Sequence, residues 1–472
     1  MNKNINFILT TNKDNVIGIN NKLPWYIRED LKYFKKLTVN NMVIMGYYTF
    51  LSLNFKPLPN RLNIVITSKY ESYKNESNLI FLSSVENAIQ YGLLLDDIKS
   101  IWIIGGKSLY EQIELIKPDE VYLTLVNFII EDIDVIKLSN NFFDYLNNNY
   151  RLINSDDINV CIFNKYIIKN KYITNKKILY SNEENYLNLL KNTIRDGDFR
   201  MTRNDYTWSI FGSQIDFDVS NNFPLLTSKK IQFRIIFEEL MFFINGYTDN
   251  KILKDKNIHI WSANTKSNTK INLLEDDMGP MYGFQWRYFN ASYDKPNNKD
   301  NSEYYKLKGF DQLEKVINEL KTDPFSRRIL LTSYNPEQVE QGVLYPCHSI
   351  VIQFYCKLVN NNIMVSIKMY QRSSDLFLGL PFNIASTSLL LYLICHHIGD
   401  NYKPDKVIIT LGDIHIYQSH IDAVLTQLRS NTYNFPKLKI NTKHKNIEDY
   451  KYEDIELINY KADRYIKAKM IV

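Results

Sequence analysis

Cys347 lies in Tyr345-Pro346-Cys347-His348, and downstream comes Gln371-Arg372-Ser373-Ser374-Asp375-Leu376-Phe377-Leu378-Gly379-Leu380-Pro381-Phe382-Asn383. A thiol attacks as a thiolate, and a neighbouring cation brings that form within reach of neutral pH. Arg372 is such a cation. The same run offers hydroxyls, a carboxylate, a glycine for close approach and an amide. That is the inventory for holding an anionic, hydrogen-bonding substrate. Alone, Cys347 reads as a small core hydrophobe, as most free cysteines do. The second run makes a nucleophile the stronger reading.

Two carboxylates stand in apolar settings. Glu239, in Phe237-Glu238-Glu239-Leu240-Met241-Phe242, is either a helix-end surface residue or a proton handler. Asp30 opens a helix beside Leu31 and Phe34. Burial there would raise its pKa and suit proton-coupled work, while a carboxylate at a helix start also complements the dipole. Arg327-Arg328 reads alone as solvated surface, and Gly105-Gly106 as a turn.

These residues need elements to hold them. Ile5-Leu9, Met42-Ile44, Asn63-Thr67, Ile101-Ile104 and Val121-Leu125 read as strands, with Glu29-Leu37 and Val85-Tyr91 as helices between them. The pattern predicts an α/β domain over residues 1–169 with a mostly parallel sheet, closed by an antiparallel arm near Val160-Ile168. Residues 170–183 are polar, basic and short, a junction. From 184 to 472 helices (Tyr186 up to a stop at Gly197, Ile235-Ile244, Phe310-Lys321, Asn383-His397) mix with β-rich runs (Ser349-Leu358, Met364-Tyr370, Val407-Leu411), an α+β domain. The Asn/Lys-rich residues 290–307 read as a surface insertion.

A chain of 472 residues exceeds one typical core. With 45% hydrophobic and 23% charged residues it has an ordinary globular balance. A net charge of +5 does not call for nucleic acid. The four cysteines, Cys161, Cys347, Cys356 and Cys395, have no metal-like spacing and suit a reducing compartment; no metal is implied. The N-terminus lacks a basic run leading into an apolar one, and the greasiest segment, Ser388-Ile398, is too short to span a bilayer. Cytoplasm is the expectation, with no membrane partner.

On the Cys347 motif and the Gln371–Asn383 run, residues 184–472 resemble thymidylate synthase. The resemblance implies that Cys347 adds to C6 of deoxyuridylate (dUMP), whose C5 then attacks 5,10-methylenetetrahydrofolate to give thymidylate and dihydrofolate. It assigns Glu239, rather than Glu238, as general acid/base. Arg372 and Ser373 become a phosphate clamp with Arg327 and Arg328 lent across a homodimer of this domain. Asn383 reads the pyrimidine edge, although a helix N-cap there is also compatible. His415 and Tyr417 hold the deoxyribose, and His348, Gln371 and Asp375 complete the nucleotide site. Trp261, Tyr282, Asp375 and Gly379 fall on the folate side, and Val472 on a closing tail. The family's phosphate loop, usually Arg-Thr-Gly-x-Gly-Thr, is replaced by Thr202-Arg203-Asn204-Asp205-Tyr206-Thr207, making Arg203 the loop arginine and Arg200 the alternative. Asn264 replaces the usual second tryptophan.

Residues 1–169 resemble dihydrofolate reductase through Val16-Ile17-Gly18-Ile19, Leu23-Pro24-Trp25, Asp30-Leu31 with Phe34, Met45-Gly46 with Thr49, Pro57-Leu58-Pro59 before Arg61, Ile104-Gly105-Gly106 and Tyr122-Leu123-Thr124. The resemblance implies that Asp30, fixed by Thr124, handles the proton, and that Phe34 and Arg61 hold folate. NADPH would lie along Gly18, Gly46, Thr49, Thr67, Ser68, Lys69, Gly105, Gly106 and Tyr110. Two departures stand out: Tyr47 and Tyr48 where a basic residue is usual, with Lys69 as substitute, and Thr10 in place of a small apolar residue. Because the product of the second half is the substrate of the first, the whole resembles the fused bifunctional dihydrofolate reductase–thymidylate synthase of protists and plants. The rival is an active synthase whose reductase half is retained as a structural or dimer-supporting module. No nucleic-acid partner is required.

Overall fold

The computed structural model describes residues 3–130, 134–169, 183–266, 273–300 and 302–471. The chain divides into two compact units, Met1–Ile178 and Leu179–Val472. Residues 170–182 of the expected junction, and Val472, lie outside the described residues.

The first unit is an eight-stranded sheet, in spatial order Leu79–Leu82, Leu62–Ile66, Met42–Gly46, Ser100–Ile103, Asn4–Asn12, Glu120–Val126, Cys161–Ile168 and Tyr150–Asp157. Its first six strands run parallel, and the last two are antiparallel, as the sequence predicts. Met42, Val43, Ile44 and Met45 are all buried, the continuous apolar run expected of a strand covered on both faces. The strand Leu79–Leu82 and the small pair Val16–Ile19 with Val135–Lys137 have no counterpart in the sequence reading. The helix Arg28–Thr38 points its first turn, with buried Asp30, at the strand Asn4–Asn12.

The second unit centres on a six-stranded sheet, in order Asp198–Met201, Tyr206–Asp218, Tyr402–Tyr417, Asn362–Asp375, Val351–Val359 and Leu330–Thr332. The helices Glu184–Asp196 and Gly379–Ile398 pack against it. On Val351–Val359 buried Ile352, Phe354 and Cys356 alternate with exposed Val351, Gln353 and Tyr355. Leu330 opposes Gln353, and Tyr370 opposes Val351. Directly opposed residues share a face, so Leu330, Val351, Tyr355 and Tyr370 form an exposed, partly apolar sheet surface.

Three sequence expectations change here. The apolar segment ending at Ile398 is a helix of 20 residues, Gly379–Ile398, long and apolar enough by length and composition to cross a membrane. Two-thirds of its apolar window is buried within the unit (67%), which makes it a core helix. Residues 290–307 are no loose insertion: Ala291, Asn297 and Tyr305 are fully buried, and Tyr305 packs edge-on against Phe284. Glu183, placed in the junction by sequence, is buried in the second unit. Its carboxylate accepts Thr227 N at 2.7 Å, Thr227 Oγ1 at 2.6 Å and Ser228 N at 3.2 Å, together with the Ser228 hydroxyl.

Removing that acceptor strands three buried donors, since the Thr227 hydroxyl keeps the Tyr433 carbonyl at 3.2 Å. Glu183→Ala should destabilise the second unit by about 2–4 kcal/mol, read as a lowered unfolding midpoint for thymidylate-forming activity while reductase activity keeps its own.

Candidate active sites

The strand Asn362–Asp375 runs through Gln371-Arg372-Ser373-Ser374-Asp375, and the helix beginning at Gly379 follows after Leu376–Leu378. Beside it, Tyr402–Tyr417 carries Gly412, where an added Cβ would stand 2.5 Å from Arg372 O. Only glycine permits that approach. Arg372 N donates to Cys347 O at 2.9 Å, its Nε to Pro346 O at 2.8 Å and its Nη2 to Tyr345 O at 2.9 Å. The same Nη2 lies 3.6 Å from Cys347 Sγ. Burial pushes the Cys347 thiol up, opposed by the charges of Arg372 and Arg203. The neighbouring cation therefore does not by itself make a ready thiolate, a correction to the simplest sequence argument.

A chain of aromatic contacts runs from the Cys347 backbone to a carboxyl. Tyr282 Oη accepts from Cys347 N at 3.0 Å, and its ring lies 4.4 Å from that of His348 at 19°. Trp261 sits 5.8 Å from Tyr282, centre to centre, and its Nε1 donates to Glu239 Oε1 at 2.8 Å. Burial lifts Glu239 to about 7 against that hydrogen bond, and lowers His348 to about 4, so His348 is neutral at pH 7. Glu238 instead pairs with Lys256. That contrast favours Glu239 as the proton handler.

Gln371 Nε2 donates to Asn383 Oδ1 at 3.0 Å, which leaves the Asn383 amide nitrogen to donate elsewhere. The helix caps at Leu378, so Asn383 is no N-cap. Gln371 Oε1 and Ser374 Oγ are buried without a partner among the described residues. His415 and Tyr417 share one face of their strand with rings 4.9 Å apart, and His415 Nδ1 is held 3.1 Å from Asp413 Oδ1. Ser373 is half-buried on the strand, opposite Asp413. Gly379 stands over Asp375, whose Cβ would be 3.7 Å from a Cβ there. Arg200 pairs with Asp413, whereas exposed Arg203, in the turn before Tyr206, acts electrostatically on both Cys347 and Tyr417. Arg327 and Arg328 are exposed before the strand Leu330–Thr332, with no acidic partner among the described residues.

His420 and Lys229 were missed by sequence reasoning. His420 is fully buried, with Nε2 at 2.7 Å from Lys469 O and Nδ1 at 3.7 Å from Asp375 Oδ1, an ion-pair distance. Burial opposes ionisation of Asp375, but His420, His415 and the Phe377 N–H hold it below the usual carboxylate range. Lys229 donates to Phe377 O and lies 3.6 Å over the Phe377 ring; burial brings its pKa down to about 7. A lone histidine before the apolar run Ile421-Asp422-Ala423-Val424-Leu425 was the available signal for the first. Nothing distinguished Lys229 from its surface neighbour Lys230.

In the first unit one cavity of about 1150 Å³ runs from Asp30, Phe34 and Arg61 to Gly105 and Gly106, and every residue predicted for the cofactor lines it. Asp30 is raised by burial, against hydrogen bonds from Thr124 and Thr10. Arg61 is buried, donates Nη1 to Thr38 Oγ1 at 2.9 Å and lies 5.7 Å from the centre of the Phe34 ring. Gly46 N donates to Gly105 O at 2.7 Å. Gly105 has φ +131°, and a Cβ on Gly106 would meet Thr49 Oγ1 at 3.2 Å. Such a narrow backbone cradle suits a diphosphate, so the residues present fit NADPH. Tyr110, expected on the cofactor, gives its hydroxyl to Ile8 O at 2.6 Å and braces the first strand. Tyr47 packs inward on Tyr73, rings 5.6 Å apart, while Tyr48 and Lys69 are exposed at the cleft.

A family model described as dihydrofolate reductase matches residues 4–166, and one described as thymidylate synthase matches residues 184–472. A bifunctional dihydrofolate reductase–thymidylate synthase of Paramecium tetraurelia is 37% identical over 100% of this chain and 99% of its own. The protein of that name from Zea mays is 35% identical over 100% and 97%, and that from Plasmodium chabaudi 36% over 89% and 82%. With both domains matched in order along its length, the chain belongs to the bifunctional dihydrofolate reductase–thymidylate synthase family.

Proposed function

We propose that Cys347 is the nucleophile and Glu239 the proton handler of thymidylate synthesis, and that Asp30 handles the proton in dihydrofolate reduction. The chain converts dUMP and methylenetetrahydrofolate to thymidylate and dihydrofolate, then reduces dihydrofolate with NADPH. The observation that carries the assignment is the chain of contacts from the Cys347 N–H through Tyr282 and the tilted Trp261 ring to a carboxyl raised to about 7. Matches over both domains do not favour the rival in which the reductase half is only structural.

Arg372, Ser373 and Arg203 hold the phosphate of dUMP, and His415 with Tyr417 the deoxyribose. The free Asn383 amide, oriented by Gln371, reads the pyrimidine edge. Cys347 Sγ bonds to C6, and the ring's electron pair moves to C5, which attacks the one-carbon unit. Methylenetetrahydrofolate supplies that unit and then the hydride that completes the methyl group. Glu239, about half ionised near neutrality, takes up and returns protons at the pyrimidine. The C5 proton leaves and the Cys347–C6 bond breaks to release thymidylate. Asp375, kept ionised by His420, faces the folate side.

In the first unit Arg61 clamps the glutamyl carboxylate of dihydrofolate, and Phe34 packs on its rings. NADPH supplies the hydride to C6 of the pterin. Asp30, its pKa raised by burial, keeps a proton available for N5. The working form is a homodimer through the second unit, supported by the exposed sheet surface around Tyr355 and by the exposed Arg327 and Arg328, which have no acidic partner among the described residues.

Cys347→Ser should lower thymidylate formation on the order of 1000-fold or more while sparing dihydrofolate reduction; retention of a sizeable fraction would remove Cys347 from the mechanism. Alkylation of wild-type Cys347 without substrate should accelerate with pH, with its midpoint above that of an ordinary cysteine. Asp30→Asn should cost dihydrofolate reduction about 100-fold or more at pH 7.5, easing at low pH as solvent supplies the proton. Since the raised Asp30 pKa makes the protonated form competent, the wild-type rate should fall as pH rises through it. For the dimer, Cys347→Ser subunits are mixed with Arg327→Ala/Arg328→Ala subunits, each poor alone. Mixed dimers should regain activity through one intact site, and no recovery after verified exchange would place the arginines in their own chain's site.

A further inference from the structure

Thr10 lies on the strand Asn4–Asn12 directly opposite Thr124 of the parallel strand Glu120–Val126. Opposed residues present their side chains to the same face, and β-branched threonine has few χ1 choices. Both hydroxyls reach one carboxylate: Thr10 Oγ1 donates to Asp30 Oδ2 at 2.8 Å, and Thr124 adds a second side-chain hydrogen bond. Asp30 is 8% exposed, and Thr10 lines the reductase cavity beside it.

We propose that Thr10 is a positioning residue for Asp30, whose hydroxyl fixes one carboxylate oxygen against the strand pair and favours the ionised acid. Dihydrofolate reduction then falls off at lower pH than Thr124 alone would set. The inference rests on Asp30 being the proton-handling carboxylate.

The surroundings leave this work to neutral donors. Tyr110, from the helix Lys107–Tyr110, and Cys161, at the start of Cys161–Ile168, are the titratable groups coupled to Asp30 from other elements. Burial raises both, Cys161 to about 11, so both are neutral near pH 7. Glu29 is the adjacent acid on the same helix. No cation is among the groups acting on Asp30, whose ionised form is favoured by the Thr124 and Thr10 hydrogen bonds against burial. Deleting one of two donors to a buried carboxylate makes its charged form costlier and the proton harder to remove. The Thr10 contact therefore sets a compromise: a carboxyl that still holds a proton, but less tightly than the cleft alone would dictate.

The test uses the full chain with Thr10→Ala, Thr10→Val, Thr10→Ser and Asp30→Asn. Titration of the Asp30 carboxyl is followed by infrared difference absorption in protein free of NADPH and folate, and the pH profile of dihydrofolate reduction is recorded in parallel. The thermal unfolding transition of dihydrofolate-reducing activity checks that the first unit of each Thr10 variant is folded, and Thr10→Val keeps the side-chain volume. Thr10→Ala and Thr10→Val should move both the titration and the falling limb to higher pH. Above the wild-type limb, turnover relative to each variant's own acidic plateau should rise on the order of threefold. Thr10→Ser should restore both curves. An unmoved titration in Thr10→Ala, a wild-type curve in Thr10→Val, or failure of serine to restore it would overturn the proposal. Asp30→Asn separates the two assignments. If the wild-type acidic plateau and midpoint persist without the carboxylate, Asp30 is the wrong acid; if only a solvent-driven rise at low pH remains there while the midpoint is unmoved in the Thr10 variants, only the role of Thr10 fails.

Discussion

Arg372 holds the nucleophile loop through its backbone and its charge together. Its N–H takes the Cys347 carbonyl, its guanidinium takes those of Pro346 and Tyr345, and the same group stands 3.6 Å from the sulfur. None of this survives a shift of the strand Asn362–Asp375, and that strand is kept in place by the close approach of Gly412. A side chain at 412 would push the arginine and the thiol loop apart. The hydrogen bond from Cys347 N to Tyr282 then passes the constraint to the aromatic contacts, so the Glu239 end inherits a geometry set at a glycine on another strand.

Desolvation is the common electrostatic device of both sites. Glu239 and Asp30 are buried carboxyls satisfied by neutral donors, an indole for one and two threonine hydroxyls for the other, and both are raised. Asp375 is also a buried acid, yet the His420 and His415 beside it hold it below the usual carboxylate range. Whether an acid can hold a proton near neutral pH is thus decided by the charge of its partner more than by its burial. The proposed roles follow that division.

The parallel strands of the first unit were legible because each is a short apolar run bounded by polar turns, and the helix Glu184–Asp196 because its period is unbroken up to Gly197. Residues 290–307 were misread because composition dominates there; Ala291, Tyr293 and Tyr305 anchor a largely polar stretch on Phe284. Cys347, Arg372 and Asp30 were legible through local motifs. His420 was not, because its meaning comes from two distant partners, Asp375 and the carbonyl of Lys469, and a histidine before an apolar helix looks alike with or without them. Arg203 stood ahead of Arg200 by its place in the loop motif, whereas the pairing of Arg200 with Asp413, a residue more than 200 positions away, was not legible.

Tyr47 and Thr10 depart from the family's pattern in opposite ways. Tyr47 replaces a surface cation by a half-buried ring that packs on Tyr73 and still lines the cavity, so a neutral aromatic stands where a cation is usual, with exposed Lys69 on the same lining. Thr10 instead adds a hydrogen-bond donor, because its hydroxyl is directed at the buried Asp30 carboxylate. The difference follows from where each stands on its element. Tyr47 opens a short helix at the rim, where an aromatic gains by packing under its neighbours. Thr10 faces the cavity from a sheet strand, where β-branching leaves its side chain few rotamers. A substitution on a stiff element that points into a site alters the reaction there, whereas one on a rim changes what the rim can bind.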